Sequence, residues 1–390
     1  MKRFLVRPEI YYGSNALGYL EGIEGKRAFI VTDAFMVKLG MVTKITDILE
    51  KKHIEYEVFS EVEPDPSLDT VKKGLNQIIY TKPDLLIAIG GGSSIDAAKA
   101  IMCFCIHLKE KFIDTHSIKK PWFVAIPTTS GTGSEVTSYA VVTDKVNNIK
   151  IPLNEALMIP DVAILDEELT KTVPPAVTGD TGMDVLTHAL EAYVSLQACD
   201  YTDIYAEKAV QSVFGYLLRA FKNGGDMEAR AKLHNGSCMA GIAFTNATLG
   251  INHSLAHAFG AKFKLPHGRS NAIFLPYVIK FNAGLENGMV KNPAVAEKYA
   301  AIAKQLNFPA ATAPEGVRSL IEGIKVLNRV LGIPTAIKDM NISKYEFEGS
   351  IAEMTEGVMK DICTPGNPVQ VTEKDIIRVF KEAYVGLENL

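Results

Sequence analysis

Two short segments of the chain carry side chains of the kinds that bind transition metals. In "GMDVLTHALEAY", Asp184 and His188 are spaced i and i+4, which places both on one face of a helix. In "INHSLAHAFG", His253 and His257 have the same spacing, and His267 follows in "LPHGR", which we expect to be a loop. One carboxylate with several imidazoles suits Fe(II) or Zn(II). Spacing alone selects the two i, i+4 pairs as ligands and leaves His267 out; the alternative is that these histidines are core or surface groups.

A glycine-rich turn, "IAIGGGSSIDAAKA", reads as the end of a strand, a turn and the start of a helix. Glycines let backbone N–H groups approach a phosphate closely, and a helix N-terminus favours its negative charge. We expect Ser93 or Ser94 to cap that helix. A second loop, "PTTSGTGSE" (127–135), also follows a strand. Two such loops at neighbouring strand ends predict one extended ligand, and a dinucleotide fits better than a mononucleotide.

Asp33 ends the first apolar strand, in "IVTD". A carboxylate at this position can bind ribose hydroxyls and repels a 2′-phosphate, so it favours NAD over NADP. The alternative interpretation is a helix cap for "AFMVKLG". The order along the chain differs from the usual dinucleotide fold, because this acid precedes the glycine turn.

These motifs need a parallel sheet to hold them. Apolar strands alternate with helical segments over the first ~165 residues, which predicts a sheet covered on both faces by helices. Helical spacing dominates after "PDVAILD" (160–166), and a helix is predicted to start at the capping-box-like "TEKD" (372–375). The predicted organisation is a nucleotide-binding α/β domain over residues 1–178 and an all-helical domain over 179–390.

Composition limits the class of protein. The chain has 390 residues, of which 47% are hydrophobic and 22% charged, with a net charge of −4. There is no basic field for nucleic acid, no apolar run long enough for a membrane helix and no pattern typical of a signal peptide. Five scattered cysteines favour a reducing compartment, so we expect a cytoplasmic protein. The run "MCFCIH" could be a metal-binding C-x-C-x-H, although buried cysteines are commonly core residues.

The motifs taken together resemble the iron-containing (group III) alcohol dehydrogenase family over nearly the whole chain. They are "GGGSSIDAAKA", "PTTSGTGSEVT", "GMDVLTHALEAY", "AGIAFTNATLGINHSLAHAFGAKFKLPHGRSNAIFLPYV" and "DICTPGNPVQVTEKDI". The resemblance implies a Rossmann-like parallel-sheet domain followed by an all-helical domain, the dehydroquinate synthase-like fold, with the active site between them. It also implies a homodimer or larger homo-oligomer.

By the same resemblance, the expected reaction is reversible hydride transfer between NAD(H) and a small primary alcohol or aldehyde, of the ethanol, propanol, butanol or propanediol class. One divalent metal is implied, with Fe(II) favoured and Zn(II) as the alternative. The implied metal ligands are Asp184, His188, His253 and His267, so the helical pair 253/257 is split. His257 becomes an unligated catalytic residue near the nicotinamide.

The resemblance also implies contacts to the cofactor and substrate. The cofactor contacts fall on Asp33, Gly91, Gly92, Ser93, Thr128, Thr129, Thr137 and Lys150, and the substrate pocket on Tyr139 and Cys363. Two other enzyme readings stay open, a glycerol-dehydrogenase-like polyol oxidation and a dehydroquinate-synthase-like lyase that uses NAD and a metal. A non-enzymatic metal- or nucleotide-binding protein is the remaining alternative.

Overall fold

The computed structural model describes residues 3–112, 120–146 and 149–387. Its contacts divide the chain into two compact units, Met1–Val173 and Pro174–Leu390. The first helix of the second unit, Pro175–Val194, contains the position 178/179 at which the sequence analysis set its domain boundary. Among the described residues, no helix combines the length and hydrophobicity that crossing a membrane requires.

The first unit is built on a parallel sheet, as predicted. In the described part of the chain its six strands are β1 (Glu9–Tyr12), β2 (Arg27–Val31), β3 (Glu55–Phe59), β4 (Leu85–Gly90), β5 (Trp122–Pro127) and β8 (Val162–Leu165). They run in the order β1-β8-β5-β4-β2-β3, and all the pairings are parallel. Neither β1 nor the separate antiparallel hairpin of β6 (Tyr139–Asp144) and β7 (Ile149–Asn154) was predicted from the sequence.

Helices cover both faces of the sheet. They are α1 (Ala34–Lys38), α2 (Met41–Lys51), α3 (Leu68–Thr81) and α4 (Gly92–Phe112). Side chains alternate between faces along a strand, so Leu86 and Ala88 of β4 join one buried cluster while Leu85 and Ile87 join the other. Burial on both faces explains why β4 and β5 are almost continuously apolar.

The second unit is helical, as predicted. Its helices are α5 (Pro175–Val194), α6 (Asp200–Lys222), α7 (Met227–Ala247), α8 (Ile251–Phe263), α9 (His267–Ala283), α10 (Pro293–Gln305), α11 (Ala313–Val330), α12 (Lys344–Lys360) and α13 (Glu373–Val385). A short hairpin of β9 (Leu285–Glu286) and β10 (Met289–Val290) follows α9. The predicted capping box is present, since Thr372 and Asp375 cap α13 reciprocally. The close packing of α5 with α8 and α9 positions the histidines discussed next.

Candidate active site

The glycine turn lies where predicted, between β4 and α4. Gly90 has a φ of +147°, and a β carbon there would lie 2.4 Å from Ser94 Oγ, so this position requires glycine. The second predicted loop is beside it, because β4 and β5 pair in parallel and the Thr128 N–H donates to the Gly90 carbonyl at 2.9 Å. Thr129 follows, and its Oγ1 is 3.4 Å from the β carbon that Gly91 lacks. The two loops therefore form one continuous polar edge.

The predicted serine cap of α4 is wrong. Helix α4 already begins at Gly92, so Ser93 and Ser94 lie inside its first turn. Ser94 instead donates its hydroxyl to Asp33 Oδ2 at 3.4 Å. The other carboxylate oxygen of Asp33 accepts the N–H groups of Phe35 and Met36, so Asp33 does cap α1. Capping occupies Oδ1 only, and the carboxylate still lies beside the glycine turn.

Two predicted cofactor contacts, Ser93 and Lys150, are connected through Asp65, which was not predicted from the sequence. Lys150 on β7 forms an ion pair with Asp65 Oδ1 at 2.8 Å, and the Asp65 N–H donates to Ser93 Oγ at 3.3 Å. Asp65 has a φ of +54°, a left-handed conformation that aspartate tolerates in turns. The hairpin of β6 and β7 is thereby connected to the glycine turn.

Lys99, on α4, is completely buried and organises the loop after β5. Its ammonium donates to the Ser134 carbonyl and hydroxyl, to Thr137 Oγ1 and to the Tyr139 carbonyl, at 2.6–3.0 Å. Burial lowers the pKa of Lys99 to about 8, although the nearby Asp96 opposes that shift. Thr137, a predicted cofactor contact, is thus buried against this lysine, and Tyr139 starts β6 close to it.

Three of the predicted metal ligands form one buried cluster in the helical unit. Ligand atoms of Asp184, His188 and His253 all lie within 4.8 Å of one another. The Nε2 of His267 is 3.5 Å from Asp184 Oδ1. A tetrahedral ion with bonds of about 2.0–2.1 Å needs donor atoms about 3.3–3.5 Å apart. Small side-chain adjustments would therefore bring Asp184, His188 and His253 to ligation distance, and the separation of His267 from Asp184 is already in this range.

His267 was predicted in a loop, and this was wrong. It is the first residue of α9, which Pro266 precedes. Proline suits a helix start because its φ is already near the helical value. One turn later on the same helix, Asn271 donates its side-chain amide to Asp184 Oδ1 at 2.7 Å. The start of α9 therefore positions both an imidazole and a hydrogen-bond donor at the aspartate.

His253 supplies the test of whether this cluster fits a metal. Its Nδ1 lies 2.5 Å from Glu191 Oε2, and with Glu191 ionised this nitrogen donates its proton to the carboxylate. Its Nε2 is buried, has no hydrogen-bond partner and lies 3.8 Å from Asp184 Oδ1. A lone pair on a buried nitrogen, with a carboxylate fixing the opposite nitrogen, is the arrangement of a metal-ligating imidazole. The residues present fit a divalent ion.

The electrostatics of the cluster agree with that fit. Burial raises the pKa of Asp184 to about 7, against the hydrogen bond from Asn271, and burial raises the pKa of Glu191 to about 8. Burial, followed by repulsion from His257, lowers the pKa of His253 well below its usual value. Two buried carboxylates are costly as anions, and a cation held between the donor atoms would offset that cost.

His257 belongs to a neighbouring cluster. Its ring stacks on the ring of His267 with 5.2 Å between the ring centroids, while its Nδ1 lies 2.8 Å from Asp361 Oδ2. Burial acts to raise the pKa of Asp361, but hydrogen bonds from His257, the Cys363 N–H and Ser254 outweigh it and hold that pKa below its usual range. Cys363 lies beside this pair, and ligating atoms of His257, Asp361 and Cys363 lie within 4.8 Å of one another.

Besides Asp65, three partners of the predicted aspartate and histidines were not predicted from the sequence. Glu191 had a detectable signal, because it lies three residues after His188 and seven after Asp184, on the same helical face. Asn271 was hidden by the mistaken loop around His267. Asp361 had no local signal, because it is 104 positions from the histidine that it contacts.

Comparisons with known proteins agree with this geometry. Residues 8–167 match the family model for iron-containing alcohol dehydrogenase, and residues 178–384 match the C-terminal model of the Fe-containing alcohol dehydrogenase family. The chain is 42% identical to an NADPH-dependent butanol dehydrogenase of Clostridium saccharobutylicum, covering 100% of this chain and 99% of the relative. It is 41% identical to a 1-propanol dehydrogenase of Citrobacter freundii, covering 94% and 96%.

A solved structure gives the same result. The iron-containing alcohol dehydrogenase of Thermococcus thioreducens superposes with a TM-score of 0.88 at 34% identity, covering 99% of this chain and 100% of that one. The similarity therefore extends over both units.

Proposed function

Because the chain belongs to the iron-containing alcohol dehydrogenase family, we propose that it interconverts short primary alcohols and their aldehydes, with NAD(H) and one Fe(II) ion. The observation that carries the proposal is the buried cluster around Asp184, in which the unpartnered Nε2 of His253 faces the carboxylate. Its butanol and 1-propanol dehydrogenase relatives support a three- or four-carbon aliphatic substrate.

The proposed metal ligands are Asp184, His188, His253 and His267. One carboxylate and three neutral imidazoles suit Fe(II), and Zn(II) is the alternative for the same donors. His257 is left out of the proposed ligand set because its ligating atom groups with those of Asp361 and Cys363, whereas that of His253 groups with those of Asp184 and His188. The bound ion would supply Lewis acidity, which stabilises negative charge on the substrate oxygen.

A bound nicotinamide would supply the hydride, and the chain's own side chains would supply the path for the proton. Reduction of an aldehyde requires one proton at the new hydroxyl oxygen. With its Nδ1–H donated to Asp361, His257 presents Nε2 as the nitrogen that holds or releases this proton. Its side chain is 28% exposed, so exchange of that proton with solvent is open. We propose His257 as the catalytic proton-transfer residue.

For the cofactor, we propose the polar edge of the sheet unit. The contacts are Asp33, Gly91, Gly92, Ser93, Thr128, Thr129, Thr137 and Lys150. The Thr132 hydroxyl lies 2.8 Å from where a β carbon of Gly92 would be, so only glycine fits here without moving Thr132. The absence of a side chain also leaves the N–H groups at the start of α4 accessible to a phosphate. In the same scheme residues 1–178 bind the nucleotide and residues 179–390 bind the metal, and Tyr139 and Cys363 are each proposed as substrate contacts.

NAD is proposed over NADP because the Asp33 carboxylate lies next to the glycine turn. Its Oδ2 is 3.2 Å from where a β carbon of Gly90 would be, so a 2′-phosphate there would meet a negative charge. The Clostridium relative is named as NADPH-dependent, so the preference needs a direct test. Asp33→Asn keeps the cap of α1, because asparagine caps as well as aspartate, and removes only the charge.

We expect the wild type to prefer NADH, and Asp33→Asn to raise kcat/KM for NADPH by about tenfold, which is about 1.4 kcal/mol. The exposed Asp47→Asn, on α2, is the charge-matched control. A wild-type preference for NADPH would contradict the assignment.

The reaction itself is tested anaerobically on Fe- and Zn-loaded protein, by NADH oxidation with a panel of short aldehydes and by NAD+ reduction with glycerol-type polyols. Turnover of butanal or propanal supports the proposal, and turnover confined to polyols supports a glycerol-dehydrogenase-like enzyme.

Asp184→Ala and His267→Ala should lose metal and activity together. His257→Gln should lose activity by about 10²–10⁴-fold with metal content retained. Loss of metal from the His257 variant would show that it is a ligand.

A further inference from the structure

A second group of metal-binding side chains lies in the sheet unit. Ligating atoms of Cys103, His107 and Glu155 all lie within 4.8 Å of one another. Cys103 Sγ is 3.9 Å from His107 Nδ1, and His107 Nε2 is 3.1 Å from Glu155 Oε2. A thiol, an imidazole and a carboxylate are three of the donors that Zn(II) uses in proteins.

Local structure explains how these residues meet. Cys103 and His107 are spaced i and i+4 on α4 and share one helical face. Glu155 comes directly after β7, where its N–H donates to the Ser138 carbonyl across the hairpin. Cys105, the other cysteine of "MCFCIH", points into the core of the sheet and is not part of the group. Of the three potential ligands in the C-x-C-x-H pattern, Cys103 and His107 therefore belong to the group and Cys105 does not.

The geometry has the features of an ion site with one open side. Cys103 is fully buried, whereas the side chains of His107 and Glu155 are 44% and 39% exposed. An ion could therefore enter from solvent past the imidazole and the carboxylate. The donor atoms around a tetrahedral ion lie about 3.3–3.8 Å apart. The distances between the three ligating atoms therefore need to shorten by little more than about 1 Å to bind an ion.

A Cys-His-Glu arrangement also resembles a thiol nucleophile with its base. Full burial of Cys103 argues against this reading, because an attacking thiolate needs access to its substrate. Burial, together with Glu155, also raises the pKa of this thiol to about 12, so little thiolate forms without a cation. A zinc ion deprotonates a coordinating thiol outright, which removes that barrier for binding but not for nucleophilic attack.

We propose that Cys103, His107 and Glu155 form a second divalent-metal site, selective for Zn(II)-like ions, with water as the fourth ligand. Binding releases the Cys103 proton to solvent. The ion would tie α4, which begins at the glycine turn, to the segment that follows the β6–β7 hairpin. The site is separate from the Asp184 cluster, and the proposal does not depend on the reaction assigned above.

The test is a titration of the metal-loaded enzyme with Co(II), followed by near-ultraviolet absorption. Thiolate-to-Co(II) charge transfer gives an intense band in the near ultraviolet. The Asp184 cluster contains no thiol, so a metal bound in that cluster does not give this band. We expect one equivalent of Co(II) to produce the band. Zn(II) should then displace the Co(II) and remove the band. Cys103→Ser should abolish it. His107→Ala and Glu155→Gln should weaken Co(II) binding by at least the roughly tenfold that loss of even an outer partner costs.

Cys105→Ser, two residues away on the same helix, is the matched control and should keep the band. Cys363→Ser tests the thiol beside His257 and should also keep it. Glu155 is only partly buried, so Glu155→Gln remains informative even if Cys103→Ser is poorly folded. Absence of the band from the wild type, or its loss in Cys363→Ser with retention in Cys103→Ser, would overturn the proposal.

Discussion

The carboxylate of Glu191 holds Nδ1 of His253 at 2.5 Å, and both side chains are buried. The same carboxylate accepts the Asn252 N–H at 2.6 Å, so both of its oxygens are used. This pair determines which nitrogen of the imidazole, Nε2, carries the lone pair near Asp184.

Glu191→Gln should therefore weaken metal binding without removing a ligand. A glutamine has one acceptor oxygen for two donors, so either His253 or Asn252 loses its partner. We expect metal affinity to fall roughly 10–100-fold, the usual cost of losing a partner behind a ligating histidine. Chelator competition on the purified protein measures it. Glu207→Gln, which alters only the hydrogen bond from Tyr193, is the control; equal affinity in Glu191→Gln and wild type would show that the pair does not tune the metal.

Asp361→Asn should impair His257 and leave the metal in place. Asp361 accepts from Nδ1 of His257 and thereby orients Nε2. We expect kcat to fall by roughly tenfold or more, less than the loss in His257→Gln. The decisive measurement is the double mutant: if Asp361 acts through His257, adding Asp361→Asn to His257→Gln changes kcat little further. Additive losses would mean that Asp361 has an independent role. Ser254→Ala, which removes a different hydrogen bond to Asp361, is the control.

Gly268→Ala should destabilise the helical unit. A β carbon at Gly268 would lie 2.1 Å from the Asp180 carbonyl oxygen, so α5 and α9 would have to separate next to His267. Overpacking of this kind costs about 1–3 kcal/mol or more, and metal retention should fall with it. Thermal unfolding measures the loss. Gly349→Ala, at an exposed position of α12 with open space, should instead be neutral or stabilise by up to about 1 kcal/mol.

Glu135 should make stability depend on pH. Burial raises the pKa of Glu135 to about 7 in the folded chain from its ordinary 4.5, although Lys99 opposes the shift. Between these pH values the folded state binds more protons than the unfolded state, so stability falls as pH rises from 4.5 to 7. The loss is of the order of 3 kcal/mol. Glu135→Gln removes this slope, and urea midpoints of the two proteins at pH 5 and pH 8 should diverge accordingly.

The exposed Glu24→Gln controls for the simple loss of one negative charge. Parallel pH profiles for the wild type and Glu135→Gln would show that folding does not raise the pKa of Glu135.

Several features of this protein were determined by local sequence. Continuous apolar runs predicted the buried parallel strands β4 and β5, because both faces of such a sheet are covered. The glycine turn, the helical spacing of Asp184 and His188 and the capping box at Thr372 are all short-range patterns, and each is present in the structure. Short-range patterns survive folding because they depend on backbone geometry within a few residues.

Other features were decided only by tertiary structure. His253 and His257 share a helical face, yet Glu191 draws one toward Asp184 while Asp361 holds the other in a separate cluster. Cys103 and Cys105 are neighbours in sequence, yet one meets Glu155 and the other enters the sheet core. Helical spacing defines which side chains share a face, but the partner facing each of them comes from a distant segment. Only the packing of those segments determines which nitrogen or sulfur is left available for a metal.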